Sequence, residues 1–168
     1  MKQLICILLL AALLLPGCAN QEPEYVAPVN FYYPKTTVTY FTADGVISKE
    51  IREAQGYGQD YAQILALYLQ GPESDGLQQI FPQDVTLIQL DLSSEGATVV
   101  LNDAMAQLSG VDLSIACACL TATVCELTGV QAVTIQAQSQ LLDGSKTITM
   151  TRDQVLLLDS NMTPVDNN

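Results

Sequence analysis

The sequence predicts an α+β fold. Two helices pack on one face of a mixed or antiparallel sheet, in the order β-α-β-β-α-β, with an added C-terminal hairpin. Three observations lead there. Asp60 to Gln70 and Asp112 to Thr128 each repeat apolar residues at helical spacing, and each run is followed by a glycine. Short β-branched stretches lie before, between and after them. Turn-forming Gly, Asp and Ser residues bound those stretches. A helix hides one stripe and a sheet hides one face, so laying both helices on one side of a sheet is the economical arrangement.

The chain begins with a leader. Lys2 is followed by an unbroken apolar run from Leu4 to Leu15, then Leu15-Pro16-Gly17-Cys18. The run is too short to span the roughly 30 Å of a bilayer core and matches a signal-peptide core instead. A cysteine directly after a small residue is what a lipoprotein signal peptidase requires. Residues 1–17 are therefore expected to be a lipoprotein signal peptide. Cys18 is expected to carry diacylglyceryl and to hold the chain on the extracytoplasmic face of the cell membrane; two acyl chains anchor far more stably than one. Residues 18–35 follow as the lipidated cysteine and a spacer with Pro23, Pro28 and Pro34. At about 3.1 Å per residue an extended spacer of this length reaches up to roughly 50 Å. Tyr25, Phe31, Tyr32 and Tyr33 make it unusually aromatic.

The folded domain is expected over residues 36–159. Thr36 to Thr42 is β-branched and aromatic, a strand signal, and Asp44-Gly45 turns the chain. Val46 to Arg52 reads as a short return strand. Asp60 can cap a helix whose Tyr61, Ile64, Leu65 and Tyr68 share one face. Gly71-Pro72 ends it. Val85 to Leu92 and Thr98 to Leu101 flank Ser94-Glu95-Gly96 and predict an antiparallel hairpin. Asp103 to Leu108 reads as a short helical turn. The second long helix starts from Asp112 as cap, buries Leu113, Cys117, Leu120, Val124 and Leu127 as one stripe, and ends at Gly129. Val133, Ile135 and Ala137 alternate along the next strand. Asp143-Gly144 then turns the chain into Thr147 to Thr151, with Ile148 and Met150 inward. Residues 160–168 form a polar tail.

Composition narrows the chemistry. The 168 residues carry 18 Asp and Glu against 6 Lys and Arg, a formal net charge of −12. Nothing in such a surface neutralises phosphates, so nucleic acid is not an expected partner. Nor does it adhere to an anionic bilayer, which leaves attachment to the lipid on Cys18. The chain has no histidine. That removes Ser-His-Asp and Cys-His catalysis and every His-containing zinc site. Cys117, Cys119 and Cys125 crowd one helix, where none of their spacings suits a disulfide. They read as small buried hydrophobes with free thiols, and a Cys-x-Cys metal or redox site is the alternative.

A longer pattern is present as well. Val38-Thr39-Tyr40-Phe41 opens a strand, and a glycine-ended helix carries Leu69-Gln70-Gly71-Pro72. Gly76-Leu77, Ile80-Phe81-Pro82, the hairpin, and a second helix closing Leu127-Thr128-Gly129-Val130 follow. From about Val38 to Gly144 this series resembles the GerMN domain of sporulation and spore-germination proteins of spore-forming Firmicutes. The resemblance implies a non-enzymatic, extracytoplasmic α+β module and a role in cell-envelope, sporulation or germination assembly. It implies no cofactor, and it brings no catalytic residues to carry over. Its motif positions here are Leu69, Gly71, Pro72, Gly76, Pro82 and Gly129, and their spacing points mainly to structure. Where the family loop ends Pro-x-Gly-Thr, this chain reads Pro82-Gln83-Asp84-Val85.

Other sites are weak in the sequence. Asp84, Asp91, Asp103 and Asp112 lack the spacing of a calcium loop. Ser93, Ser94 and Ser114 have no evident base. The expected function is a lipid-anchored protein-interaction module, whose partner is an unidentified envelope protein or a second copy. A lipoprotein that binds peptidoglycan or a small ligand is the alternative, and a hydrolase built on an acid pair is a third reading.

Overall fold

The computed structural model describes residues 28–37, 45–54 and 57–155. The leader 1–17, Cys18, the tail 160–168, and the strand expected over Thr36–Thr42 from residue 38 onward lie outside the described residues. The described chain is α+β with the expected alternation of elements. Its strands divide between two sheets.

The first sheet pairs β1 (Val29–Pro34) with β2 (Ile47–Arg52), antiparallel, with Phe31 opposite Glu50 and Tyr33 opposite Ser48. Here the reading of residues 18–35 as a spacer needs correction, because β1 belongs to the folded domain. Phe31 and Tyr33 are fully buried and Tyr32 nearly so. The prolines misled because Pro34 occupies the last strand position, where proline is tolerated. The strand signal is the aromatic run Phe31-Tyr32-Tyr33, whose three side chains are buried here.

The second sheet has the order β3-β4-β5-β6, formed by Leu87–Leu92, Ala97–Leu101, Ala132–Ala137 and Ile148–Thr151. β3 and β4 form the expected hairpin, and β5 and β6 pair antiparallel. β4 and β5 are parallel, so the connection between them must cross over, and the long helix makes that crossing. Val99, Leu101, Val133, Ile135 and Ala137 face the core.

Helix α1 (Tyr61–Leu69) is capped by the Asp60 carboxylate, which accepts the Gln63 amide at 3.1 Å. It buries Ile64, Leu65, Tyr68 and Leu69. Helix α2 runs Gly110–Thr128, two residues longer at its start than expected, with Ser109 rather than Asp112 at the cap position. Asp112 sits in the first turn, where its charge suits the helix dipole. Gly129 takes the left-handed conformation, φ 78°, and returns its amide to Cys125 O at 2.9 Å. The expected single stripe is an underestimate, since every residue from Ala116 to Cys125 is buried. One side of α2 faces the main core. The other, through Ala118, Cys119 and Ala122, meets Tyr32, Ile47 and Val155. Contact with both sheets explains a helix apolar nearly all round. By length and hydropathy it could cross a bilayer, yet it is the buried centre of this domain.

Candidate functional site

β2 inverts the usual pattern. Ser48, Glu50 and Arg52 point into the protein, while Ile51 is 40% exposed. A charge in such a place must be paired and hydrogen-bonded to persist. Glu50 is 0% exposed and accepts hydrogen bonds from Arg52 Nε, from the Glu73 amide at 3.0 Å and from the Ser74 amide at 2.8 Å. Arg52 donates through a second nitrogen to Gly71 O at 2.5 Å. Its guanidinium lies 5.2 Å from the Phe31 ring centroid and 5.9 Å from that of Tyr33. An exposed Glu73 carboxylate, 3.8 Å away, adds little. The pair thus grips the loop after α1 from two directions.

The motif residues lie in that loop. Leu69 is buried, and its carbonyl accepts Gln79 Nε2 at 2.9 Å. Gly71 has φ +103°, and a Cβ built there would lie 3.1 Å from Gln79 Nε2. Only glycine meets both demands without strain. Pro72 follows where no helix can continue. The Gly76 carbonyl accepts the Thr36 amide at 3.0 Å, and the Pro82 carbonyl accepts the Val85 amide at 3.0 Å. Leu69, Gly71, Pro72, Gly76 and Pro82 are therefore consecutive parts of one pinned segment. Gly129 stands apart, at the end of α2.

Two tyrosines lock this segment to β1. Tyr33 Oη donates to Tyr68 O at 2.6 Å, and Tyr68 Oη donates to Tyr32 O at 3.0 Å. The Tyr68 ring packs 4.9 Å from Tyr33, 5.4 Å from Phe31 and 5.5 Å from Phe81. The Tyr32 amide donates to Thr123 Oγ1 at 3.0 Å. Side chains from both helices thereby satisfy the outer edge of β1, a place where bare backbone would be costly. Burial holds the Tyr33 and Tyr68 hydroxyls well above their usual range. A second cluster joins β1, α2 and the C-terminal turn. Arg152 donates to Ala122 O at 3.0 Å and pairs with Glu126 at 3.3 Å, and Asn30 Nδ2 donates to Glu126 at 2.9 Å.

The cysteines are free and buried. Burial pushes the Cys117 thiol up to about 12, and it raises Cys119 and Cys125 too. These thiols stay protonated at neutral pH, which makes them poor nucleophiles and poor ligands. Among the described residues no three His, Cys, Asp or Glu side chains gather to hold a metal ion. Asp103 is committed to the 138–140 loop. The Ser139 hydroxyl, the Ser139 amide at 2.7 Å and the Gln140 amide at 3.1 Å all donate to it and hold its carboxyl below the usual range.

Sequence reasoning missed Glu50, Arg52, Gln79 and Thr123. Glu50 and Arg52 are two residues apart on a strand and so share a face, but Ile47 and Ile51 offered the more ordinary inward face. A groove of about 330 Å³ lies between the end of α1 and the start of β3, adjoining the pinned segment.

The comparisons agree with this architecture. The model of the Germane family, described as sporulation and spore germination, matches residues 30–143. A sequence search finds no match among curated proteins. The first GerMN domain of the sporulation protein GerM from Bacillus subtilis superposes with a TM-score of 0.59 at 14% identity, covering 76% of this chain and 98% of that one. The tandem GerMN domains of the same protein give a TM-score of 0.57 at 16% identity, with 82% of this chain matched to 49% of that one. This chain thus corresponds to about half of the tandem protein. With the family model running from β1 through β5 and taking in both helices, the chain belongs to the Germane (GerMN) family of sporulation and spore-germination proteins.

Proposed function

We propose that this protein is a lipid-anchored, extracytoplasmic docking module, without enzymatic activity, that serves an envelope assembly of sporulation or germination. The observation that carries the reading is a GerMN domain, matched from residue 30, downstream of a Leu-Pro-Gly-Cys leader that ends at Cys18. Cys18 bears the diacylglyceryl group, and the segment after it leads into β1. The charged and polar side chains buried around the motif hold the fold together: Glu50 and Arg52 grip a loop, and Tyr33 and Tyr68 hold a strand. Such a scaffold presents surfaces, and its partner is another envelope protein.

Cys18→Ala in the native host tests the anchor. Metabolic labelling with an alkyne fatty acid should mark the wild-type chain in the membrane fraction, and the variant should lose both label and membrane association. Equal membrane retention without label would overturn lipidation at Cys18. In-cell cross-linking of the wild-type chain should yield a discrete complex with an envelope protein, and a chain that cross-links to nothing would overturn the docking role.

A further inference from the structure

The groove between α1 and β3 has three properties that converge on one kind of occupant. The first is shape. Leu69 and Val85 are buried beneath it, Ala66 and Leu87 form its walls, and the exposed amides of Gln70 and Gln83 rim it. The second is backbone. Thr86 turns toward Asn102, donating its amide to Asn102 Oδ1 at 3.2 Å and accepting the Asn102 amide at 3.0 Å. Alternation along an extended chain then directs the Leu87 N–H and C=O the opposite way, to the outer edge. β3 is terminal in its sheet, and among the described residues no strand lies beyond it. Ile88 and Leu92 add exposed apolar surface, 48% and 45%, along the same strand.

The third property is charge. From Glu53 to Ser145 the chain has eleven acidic residues and no Lys or Arg. Asp84 precedes the groove's strand, Asp91 lies near its end, and Glu95 stands in the turn after it. Lys35 follows β1, Lys49 and Arg52 lie on β2, and Lys146 and Arg152 lie in the C-terminal segment. Arg52 reaches Gly71 beyond the end of α1, but it is buried there and paired with Glu50. An acidic edge favours a cationic partner and speeds its approach. A second copy would bring a net charge of −12 to it.

Building on the docking reading above, we propose that this groove takes an extended, lysine- or arginine-bearing segment of a partner polypeptide. The segment adds along the β3 edge at Leu87, seats one apolar side chain between Leu69 and Leu87, and turns its cations toward Asp84 and Asp91. Main-chain hydrogen bonds supply affinity and the groove supplies selectivity, as in other strand-addition complexes.

The test uses the full chain in zwitterionic detergent micelles and two synthetic heptapeptides, Lys-Val-Lys-Leu-Lys-Val-Lys and the same sequence with Glu for Lys. Amide chemical shifts are followed through each titration. The lysine peptide should bind, with shifts centred on residues 66–70 and 83–92, and should weaken several-fold as salt rises from about 0.05 to 0.5 M. Ala66→Arg, on the exposed face of α1, fills the groove with a like charge and should weaken binding at least about tenfold while leaving the thermal transition in place. Equal binding of both peptides, shifts centred elsewhere, an unaffected A66R variant, or binding of neither peptide would overturn the proposal. A dimer in sedimentation that A66R abolishes would make a second copy the occupant, and this also overturns it. A66R that still forms the in-cell cross-linked complex removes the groove assignment but leaves the docking role standing.

Discussion

Arg52→Met is the most informative perturbation of the fold, because Glu50 has no exposure through which to recover solvent. The substitution keeps a long side chain over Phe31 and Tyr33 and deletes the countercharge. Removing one partner of a buried pair costs about 3–5 kcal/mol. The Gly71 carbonyl loses its Arg52 donor, an added penalty of about 1–3 kcal/mol for a buried acceptor. The lost cation–π contacts are worth about 0.5–2 kcal/mol. These effects overlap, since one guanidinium serves all of them, and a net loss of about 4–5 kcal/mol is the reasonable figure. A domain is stable by only about 5–15 kcal/mol, so the variant should approach the unfolding threshold. Urea unfolding followed by far-UV circular dichroism measures it, and the melting temperature should fall by about 15 °C or more. Adding Glu50→Gln removes the stranded charge while an amide oxygen still accepts the Ser74 N–H, so the double variant should recover about 2 kcal/mol. A loss below about 1 kcal/mol for Arg52→Met, or no recovery in the double variant, would refute the view that this pair is mutually required.

Three further outcomes are expected. Gly71→Ala places a side chain at φ +103° against Gln79 and should cost about 1–3 kcal/mol in the same urea assay, and a neutral effect would show that the loop relaxes freely. Phe31→Ala should cost about 3–5 kcal/mol if β1 is part of the core, whereas a spacer residue would cost nothing measurable. Burial raises the Cys117 thiol to about 12, so the folded state keeps protons that the unfolded state releases. The stability this confers is complete below about pH 8.5 and declines as pH rises from there toward 12. Urea midpoints should therefore drop between pH 8 and 10, and the three thiols should resist a disulfide reagent until the protein unfolds. Rapid labelling of native protein would contradict their burial.

Legibility followed locality. The Asp60 cap, the Gly71 and Gly129 stops and the Ser94-Glu95-Gly96 hairpin turn are short-range devices, and all were readable from neighbouring residues. β1 is hidden in the sequence by Pro34 and the two prolines before the strand, whose usual meaning outweighs three consecutive aromatics. α2 looks one-sided in the sequence because its second face is built from Ala, Cys and Thr, which give little hydropathic contrast. The site divided in the same way. Leu69, Gly71 and Pro72 announced themselves as a helix end. The Glu50–Arg52 grip did not, since it joins residues about twenty positions apart through backbone groups of Gly71, Glu73 and Ser74. Backbone acceptors and donors carry no sequence signature.

The start of β1 at Val29 also bears on mechanics. On the proposed attachment at Cys18, the leash is the ten residues 19–28 rather than the whole proline-rich arm. Ten residues span at most about 35 Å, so on this proposal the domain is held closer to the bilayer than the longer arm would allow. A pull on the lipid then arrives at the first residue of β1 and runs along the strand. All six register positions of the β1–β2 pair, from Val29–Arg52 to Pro34–Ile47, carry that load together in shear instead of parting one at a time. The hydrogen bond from Tyr32 to Thr123 passes part of it to the central helix. An anchored domain pulled from its partner side would thus be held by the element best placed to resist.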